Sequence, residues 1–515
     1  MDASEMLGVL RRSGVLDPFR GTAVAAGLGR WGPSLAAGTM AGALRTPLGT
    51  AVIDEHGRIT WSQLDRRTSR LARGFHAMGV GRGATVGILC RNSIGFVLAA
   101  VATAKAGLTP VFLNTGSSAI QLEEILEREA VDLLLVDDDR ADELATIDFD
   151  GRIVSVAAFR RLEAAGRRRL DPLPPKVVAP VLMTSGTTGT PKGARRSARS
   201  VSAGSTVGIF GLIPYRSADV FVVPAPLFHA WGFANLGLAL ALGSTIVAID
   251  RFSPEGVVDA VAEHDGTVLV AVPVMLKRLL DATDLDLGPL RRLRITGSSG
   301  SALPGALAIE WMERTGDNLY NLYGSTEVGS ATIATPDDLR DAPGTAGRPI
   351  PGCEVRVLDH AGALVGPGTT GRLFVAGGGA FEGYSGGGGK AIIDGAMATG
   401  DVGLVDTDGR VFVSGRADDM IVSGGENVFP GSVEAVLSVQ PGVIDVAVLG
   451  VRDEEFGQRL VAYVHPSERG MTSEQDLRAA VTRQLGRHYA PREIVFVDTI
   501  PRNPAGKVSR QLLLR

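Results

Sequence analysis

Two cysteines, Cys90 and Cys353, are all that the 515 residues contain. That excludes a disulfide framework and fits a reducing compartment. Neither has a Cys or His nearby at metal-ligand spacing. No run of about 18 apolar residues occurs, so no membrane-spanning helix is expected. The start, MDASEML, lacks the basic residues of a secretory signal. There is no excess of one charge either. The formal net charge is -4, which gives no global reason to expect a nucleic-acid partner. Internal repeats are absent from the sequence.

What is present is an ordinary globular composition, 45% hydrophobic and 21% charged. The chain is too long for one hydrophobic core, so two or more domains are expected. Residues 1–45 are rich in Gly and Ala and read as a surface extension packed on the main body. Loose membrane or partner contact is the lesser reading of that stretch. A cytoplasmic location follows from these absences as an expectation.

From Ser62 onward, strands and helices alternate. Ser62 reads as a helix N-cap, followed by Leu64, Leu71, Phe75 and Met78 near one face. TVGIL (85–89) reads as a buried strand, and 93–107 as a helix closed by Gly107. The same rhythm continues through 109–113, 118–129, 131–137, 219–224, 235–242, 244–249, 253–264 and 267–272. This pattern predicts an α/β fold with mostly parallel sheets. Residues 351–415 switch to short β-rich runs with dense glycine. After about Asp418 a small α+β unit is expected, with helices near 430–437 and 474–485 and strands near 443–450, 459–465 and 493–497.

The strongest local signal is MTSGTTGTPKG (183–193), preceded by the apolar run VVAPVLM. Gly186 and Gly189 let backbone N–H groups approach phosphate oxygens closely. Thr184, Ser185, Thr187, Thr188 and Thr190 add hydroxyl donors, and Lys192 adds positive charge. The loop is not a Walker loop, because Pro191 precedes Lys192 and Gly193 follows it. At these residues the chain resembles the acyl-adenylate-forming superfamily, which includes acyl-CoA synthetases, luciferases and peptide-synthetase adenylation domains. The resemblance runs from about Ile59 to Arg515, with the motifs in family order.

The resemblance assigns roles along the chain. YGSTE places Tyr323, Gly324, Ser325 and Thr326 against the adenine and makes Glu327 the Mg²⁺ carboxylate, with Thr184 as a second candidate ligand; Mg²⁺ suits one or two carboxylates plus substrate phosphates. Gly300, Ser301 and Ala302 match the loop that flanks the adenine. In ATGD, Asp401 would accept from the ribose hydroxyls, as a carboxylate's two oxygens suit a vicinal diol. In GRADDMIVSGGEN, Arg416 would contact the ribose and Asp418 would be the pivot between domains. Ser423, Gly424 and Gly425 match the coenzyme A tunnel. In PRNPAGK, Lys507 matches the family's lysine, whose ammonium would bridge the acyl carboxylate and the α-phosphate. PLFHAWG places His229 and Trp231 at the acyl pocket, with Val272 and Met275 as further lining.

The implied organisation is an N-terminal extension (1–45), a large AMP-binding adenylation domain (46–417) and a small mobile C-terminal domain (418–515). The large domain is expected to hold mixed and parallel sheets with a small β-barrel-like subdomain. The implied activity is an AMP-forming acyl-CoA synthetase. It would use ATP and Mg²⁺, with coenzyme A as cosubstrate, on a carboxylic acid expected to be fatty. An acyl-AMP ligase loading a carrier protein and a nucleotide-binding pseudoenzyme are the alternatives. A homodimer is left open. Two departures stand out: Asp418-Asp419 where many relatives have Lys-Asp, and GYSGGGG, which leaves the geometry near 385–389 open. Gly27-Leu-Gly-Arg-Trp-Gly32 satisfies GxGxxG but has no preceding strand. Gly383-Tyr-Ser385-Gly-Gly387 satisfies GxSxG but its glycines make a poor helix start for a nucleophile elbow.

Overall fold

The computed structural model describes residues 8, 11, 13–14, 18–140, 144, 147–167, 178–184, 191–196, 203–282, 284–377, 381–423, 426–453, 457–467, 472–503 and 506–513. Among them the strands form four sheets. The sequence pattern of the large unit is that of buried parallel strands, and two sheets carry it. In one, Val181–Thr184, Thr109–Phe112, Thr85–Leu89, Val131–Val136 and Arg152–Ser155 run parallel. Lys192–Arg196 and Phe381–Tyr384 are added antiparallel at the edge. In the other, Leu319–Ser325, Ile295–Ser298, Val268–Ala271, Val220–Val223, Thr245–Ala248 and Thr50–Asp54 run parallel. The helix Ile94–Ala106 is buried almost throughout, which is why it shows no amphipathic face. Ser93 caps its start and Gly107, at φ 69°, ends it.

The β-rich stretch forms a third, antiparallel sheet of Glu354–Leu358, Gly371–Ala376, Ile392–Ile393, Ala396–Val405 and Val411–Arg416. The small C-terminal domain has its own core, built on the long pair Val443–Asp453 and Gly457–Pro466. The helices Pro430–Leu437 and Glu474–Leu485 cover it.

Two local expectations are corrected. Helix Trp61–Ala77 is capped by Thr60, not Ser62. Thr60 wins because Gln63 stands at N3 and reaches back to the Thr60 N–H at 2.9 Å, completing a capping box. The glycine- and alanine-rich N-terminal stretch holds the helices Pro18–Trp31 and Leu35–Arg45, and the second is largely buried rather than lying on the surface. A Cβ at Gly38 would lie 2.8 Å from the Leu240 backbone, so a bare glycine lets helix Leu35–Arg45 touch helix Ala230–Leu242. Lys105 is wholly buried, and its ammonium is held by Asp65, Thr68 and Ser69, which staples two helices together.

Candidate active site

The strand Val181–Thr184 leads into the phosphate loop, and Lys192–Arg196 returns from it, paired Thr184 to Lys192. The Thr184 hydroxyl donates to the Lys192 carbonyl at 3.0 Å and closes the loop's base. Ser185, Gly186, Thr187, Thr188 and Gly189 lie outside the described residues. Behind the returning strand, the Arg128 guanidinium donates to the Pro191 carbonyl, and Ser385 hydrogen-bonds Glu129.

Glu327 occupies the turn between the strands Leu319–Ser325 and Gly329–Ala334. Ser325 Oγ accepts the N–H groups of Glu327 and Val328, each at 3.2 Å, and so fixes that turn. The Glu327 side chain is buried, and its Oε1 accepts the Tyr384 hydroxyl at 2.5 Å. Burial alone would raise its pKa. The bonds from Tyr384 and Ser325, with the Lys390 charge, outweigh burial and hold the carboxyl below its usual range.

Asp401 lies beside this turn. Its Oδ2 accepts the Tyr323 hydroxyl at 2.6 Å, its Oδ1 faces Arg416 Nη1 at 3.4 Å, and its N–H donates to Thr399 Oγ1. Burial raises the Asp401 pKa. Burial, and then the adjacent Asp401 charge, push the Tyr323 phenol well up, so it stays a donor. Gly400 has φ 87°, and a Cβ there would meet the Arg416 guanidinium at 2.9 Å. The positive φ is what favours glycine at that position; the guanidinium end could shift. Thr326 is half-buried in the same turn, and Gly324 is exposed.

Gly300, Ser301 and Ala302 form an exposed loop after strand Ile295–Ser298. Gly300 sits over Val272. Val272 and Met275 are buried at the start of helix Pro273–Asp281. Trp231 Nε1 donates to the Ala271 carbonyl at 3.0 Å, and its ring lies across Gly297, where a Cβ would be 3.0 Å away. His229 heads helix Ala230–Leu242. Its Nε2 is buried with no hydrogen-bond partner among the described residues. Burial, and next the charge of Lys507, push its pKa down to about 4, so the imidazole is neutral.

Lys507 arrives from the other domain. Its loop is locked by Asn503, which donates its N–H to the Lys507 carbonyl at 2.8 Å and accepts the Lys507 N–H on Oδ1 at 3.0 Å. Arg502 clamps the loop's Gly506 carbonyl while pairing with Asp445. Gly506 then packs on Val274 and Val272. Lys507 retains solvent-exposed surface, while its ammonium lies in crowded protein surroundings among charged groups. Burial and Arg416 lower its pKa, while Asp401, Glu327 and Asp419 oppose that. These groups are far apart in sequence; the fold brings Lys507, Glu327, Asp401, Arg416 and His229 into one electrostatic neighbourhood.

Asp418 lies in the 3-10 turn Ala417–Asp419 between the two domains, 3.6 Å from Arg416. Arg510 ties Asp419 to the chain's last helix at 2.8 Å. Ser423 ends strand Ile421–Ser423; Gly424 and Gly425 lie outside the described residues. Sequence reasoning missed Tyr384 and Lys390. They flank the glycine run, and their relation to Glu327 is made only in the fold, Tyr384 reaching it from the edge of one sheet to a turn of another.

The site thus gathers two buried carboxylates, Glu327 and Asp401, with Arg416 and the Lys507 loop, a set suited to binding charged phosphate and carboxylate groups. Comparison with known proteins agrees. Residues 41–385 match the family model for the AMP-binding enzyme, and residues 432–507 match that for the AMP-binding enzyme C-terminal domain. The chain belongs to the AMP-binding enzyme family. It is 31% identical to the fatty acid–[acyl-carrier-protein] ligase ScoC of Streptomyces coeruleorubidus, over 91% of this chain and 93% of that one. It is 32% identical to the 3-[(3aS,4S,7aS)-7a-methyl-1,5-dioxo-octahydro-1H-inden-4-yl]propanoyl:CoA ligase of Rhodococcus jostii, covering 90% and 95%. The solved structure of ATP-bound MatB from Rhodopseudomonas palustris aligns with a TM-score of 0.81 and 26% identity, covering 90% and 95%.

Proposed function

We propose that this chain is an AMP-forming acid–thiol ligase that converts a carboxylic acid to an acyl-adenylate and then to an acyl-coenzyme A. The observation that carries the reading is the seating of Lys507 among Glu327, Asp401 and Arg416, with Gly506 packed on the acyl-pocket helix. In the first half-reaction a carboxylate oxygen attacks the α-phosphorus of ATP, the bond to the β-phosphate oxygen breaks, and pyrophosphate leaves. The Lys507 ammonium stabilises the charge gathering on the α-phosphate and carboxylate. Asp401 and Arg416 hold the ribose, and Tyr323 keeps Asp401 aimed. Neutral His229 borders the acid without adding charge. In the second, the small domain turns about Asp418, Lys507 withdraws, the coenzyme A thiolate attacks the acyl carbonyl, and AMP leaves.

No group of three or more His, Cys, Asp or Glu able to hold a metal occurs among the described residues. That suits Mg²⁺ shared with substrate phosphates rather than a protein-only cage. Glu327, ionised and buried, fits as its protein ligand, with Thr184 at the loop base as the second candidate. When bound, Mg²⁺ would neutralise phosphate charge.

The acid is compact. Trp231 is fixed by its bond to Ala271 and fills the space over Gly297, which limits how far an acyl chain can descend between the strands and helix Ala230–Leu242. The ring-bearing acid of the Rhodococcus relative supports this. The ScoC relative supports a second reading, a fatty acid passed to a carrier protein. The test is pyrophosphate release across short, aromatic, polycyclic and long-chain acids, with product analysis using coenzyme A or holo-carrier protein. Compact acids with coenzyme A as acceptor are expected; long-chain acids with carrier protein alone would favour the second reading.

A further inference from the structure

Tyr384 ends the strand Phe381–Tyr384, which pairs with the strand returning from the phosphate loop, Tyr384 opposite Ala194. Its hydroxyl donates to Glu327 Oε1 at 2.5 Å. The Lys192 ammonium lies 5.7 Å from the centroid of its ring, within cation–π range. One side chain thus touches both the loop's cation and the carboxylate opposite. The backbone around it is pinned. Ser385 N–H donates to the Gly193 carbonyl at 2.9 Å, and Gly387 N–H returns to the Tyr384 carbonyl at 2.9 Å. Gly387 and Gly388, at φ 84° and 85°, make the reversal that the glycine run permits.

We propose that Tyr384 is a positioning residue that couples the phosphate loop to the metal carboxylate: its hydroxyl aims Glu327 and its ring seats Lys192. This rests on the reading of Glu327 as the Mg²⁺ ligand. The hydroxyl occupies one lone pair of Oε1 and leaves the remaining acceptor sites of the carboxylate for the ion. Glu327 sits at a hairpin turn whose own contacts fix its backbone; Ser325 bonds its carboxylate from within the turn, and Tyr384 bonds it from a strand outside the turn. Without the hydroxyl, a buried carboxylate loses a charge-assisted bond and gains rotamers. The strand pairing means that any shift of the loop's exit strand carries Tyr384, and hence Glu327, with it.

Tyr384→Phe keeps the ring and removes the hydroxyl; Tyr384→Leu removes both. Mn²⁺ binding is read by electron paramagnetic resonance of the free ion, with α,β-methylene-ATP bound to the protein. Tyr384→Phe should weaken Mn²⁺ binding about tenfold, since bonds to charged groups are among the stronger ones. Binding of the metal-free analogue should stay at the wild-type value in Tyr384→Phe and weaken in Tyr384→Leu. Thiolysis of supplied acyl-AMP, which uses neither loop nor metal, should be unchanged in both, and this also shows that they fold. Glu327→Gln is the control. If Glu327→Gln weakens Mn²⁺ binding and Tyr384→Phe does not, the coupling role is overturned while the metal assignment stands. If Glu327→Gln binds Mn²⁺ like wild type, the metal assignment falls and takes the inference with it.

Discussion

Gly506 lies directly against Val274: a Cβ on that glycine would stand 3.0 Å from the valine Cγ1. Gly506 also has φ 79°, which side chains rarely adopt. The lysine loop therefore docks on the large domain at a place where only glycine fits. Gly506→Val should slow adenylation about tenfold or more, because strain of about 1–3 kcal/mol opposes docking. Thiolysis of supplied acyl-AMP, which needs the loop withdrawn, should keep its rate. Equal losses in the two half-reactions would mean that the contact is incidental.

Lys507 and His229 report on each other. The lysine's charge contributes to holding the histidine near a pKa of about 4, second to burial. Lys507→Ala should abolish adenylation and move the His229 pKa upward, read by NMR of the imidazole. An unmoved His229 would place Lys507 away from the site in solution.

His229 also sets a stability window. Its folded pKa is depressed, so between its ordinary value of 6.5 and about 4 the unfolded chain takes a proton that the folded chain refuses. Stability thus falls as pH drops through that window, by on the order of 3 kcal/mol at the acid end. Chemical denaturation of the wild type and His229→Gln at several pH values should show a flatter acid dependence for the variant. Parallel curves would remove His229 as the source.

The depth stop proposed above is Trp231. Trp231→Leu should extend the accepted acids toward longer straight chains, with kcat/KM for a ten-carbon acid rising about tenfold or more, as each further buried methylene contributes about 0.8 kcal/mol. An unchanged acid profile in a folded variant would put the stop elsewhere.

Much of the fold was legible because its signals are local. Buried runs such as TVGIL and the caps Ser93 and Gly107 act within a few residues. The Thr60 cap was misread because Thr60 and Ser62 both carry hydroxyls, and only the Gln63 reach-back decides between them. The site motifs could be named from resemblance, and the structure adds how they meet. Tyr384 was not legible. Its partner Glu327 is 57 residues away, and nothing in GYSGGGG announces a bond made from one sheet to another. The charge of Lys390 near Glu327 and Asp401 was hidden for the same reason.

Asp418 tests the rotation. Asp418→Pro fixes one φ at a position to which the proposed rotation gives two settings. If proline admits the docked setting, pyrophosphate release survives and acyl-coenzyme A formation falls at least tenfold. Acyl-coenzyme A made at the wild-type rate would move the pivot to another residue.

The central claim is that the acid's own oxygen attacks the α-phosphorus and leaves with AMP. A carboxylic acid that supports pyrophosphate release is labelled with ¹⁸O in both carboxyl oxygens and turned over with ATP and coenzyme A. Mass spectrometry of the AMP should show one ¹⁸O per molecule, formed together with acyl-coenzyme A. AMP without label, or label appearing in orthophosphate with ADP as coproduct, would contradict an acyl-adenylate intermediate.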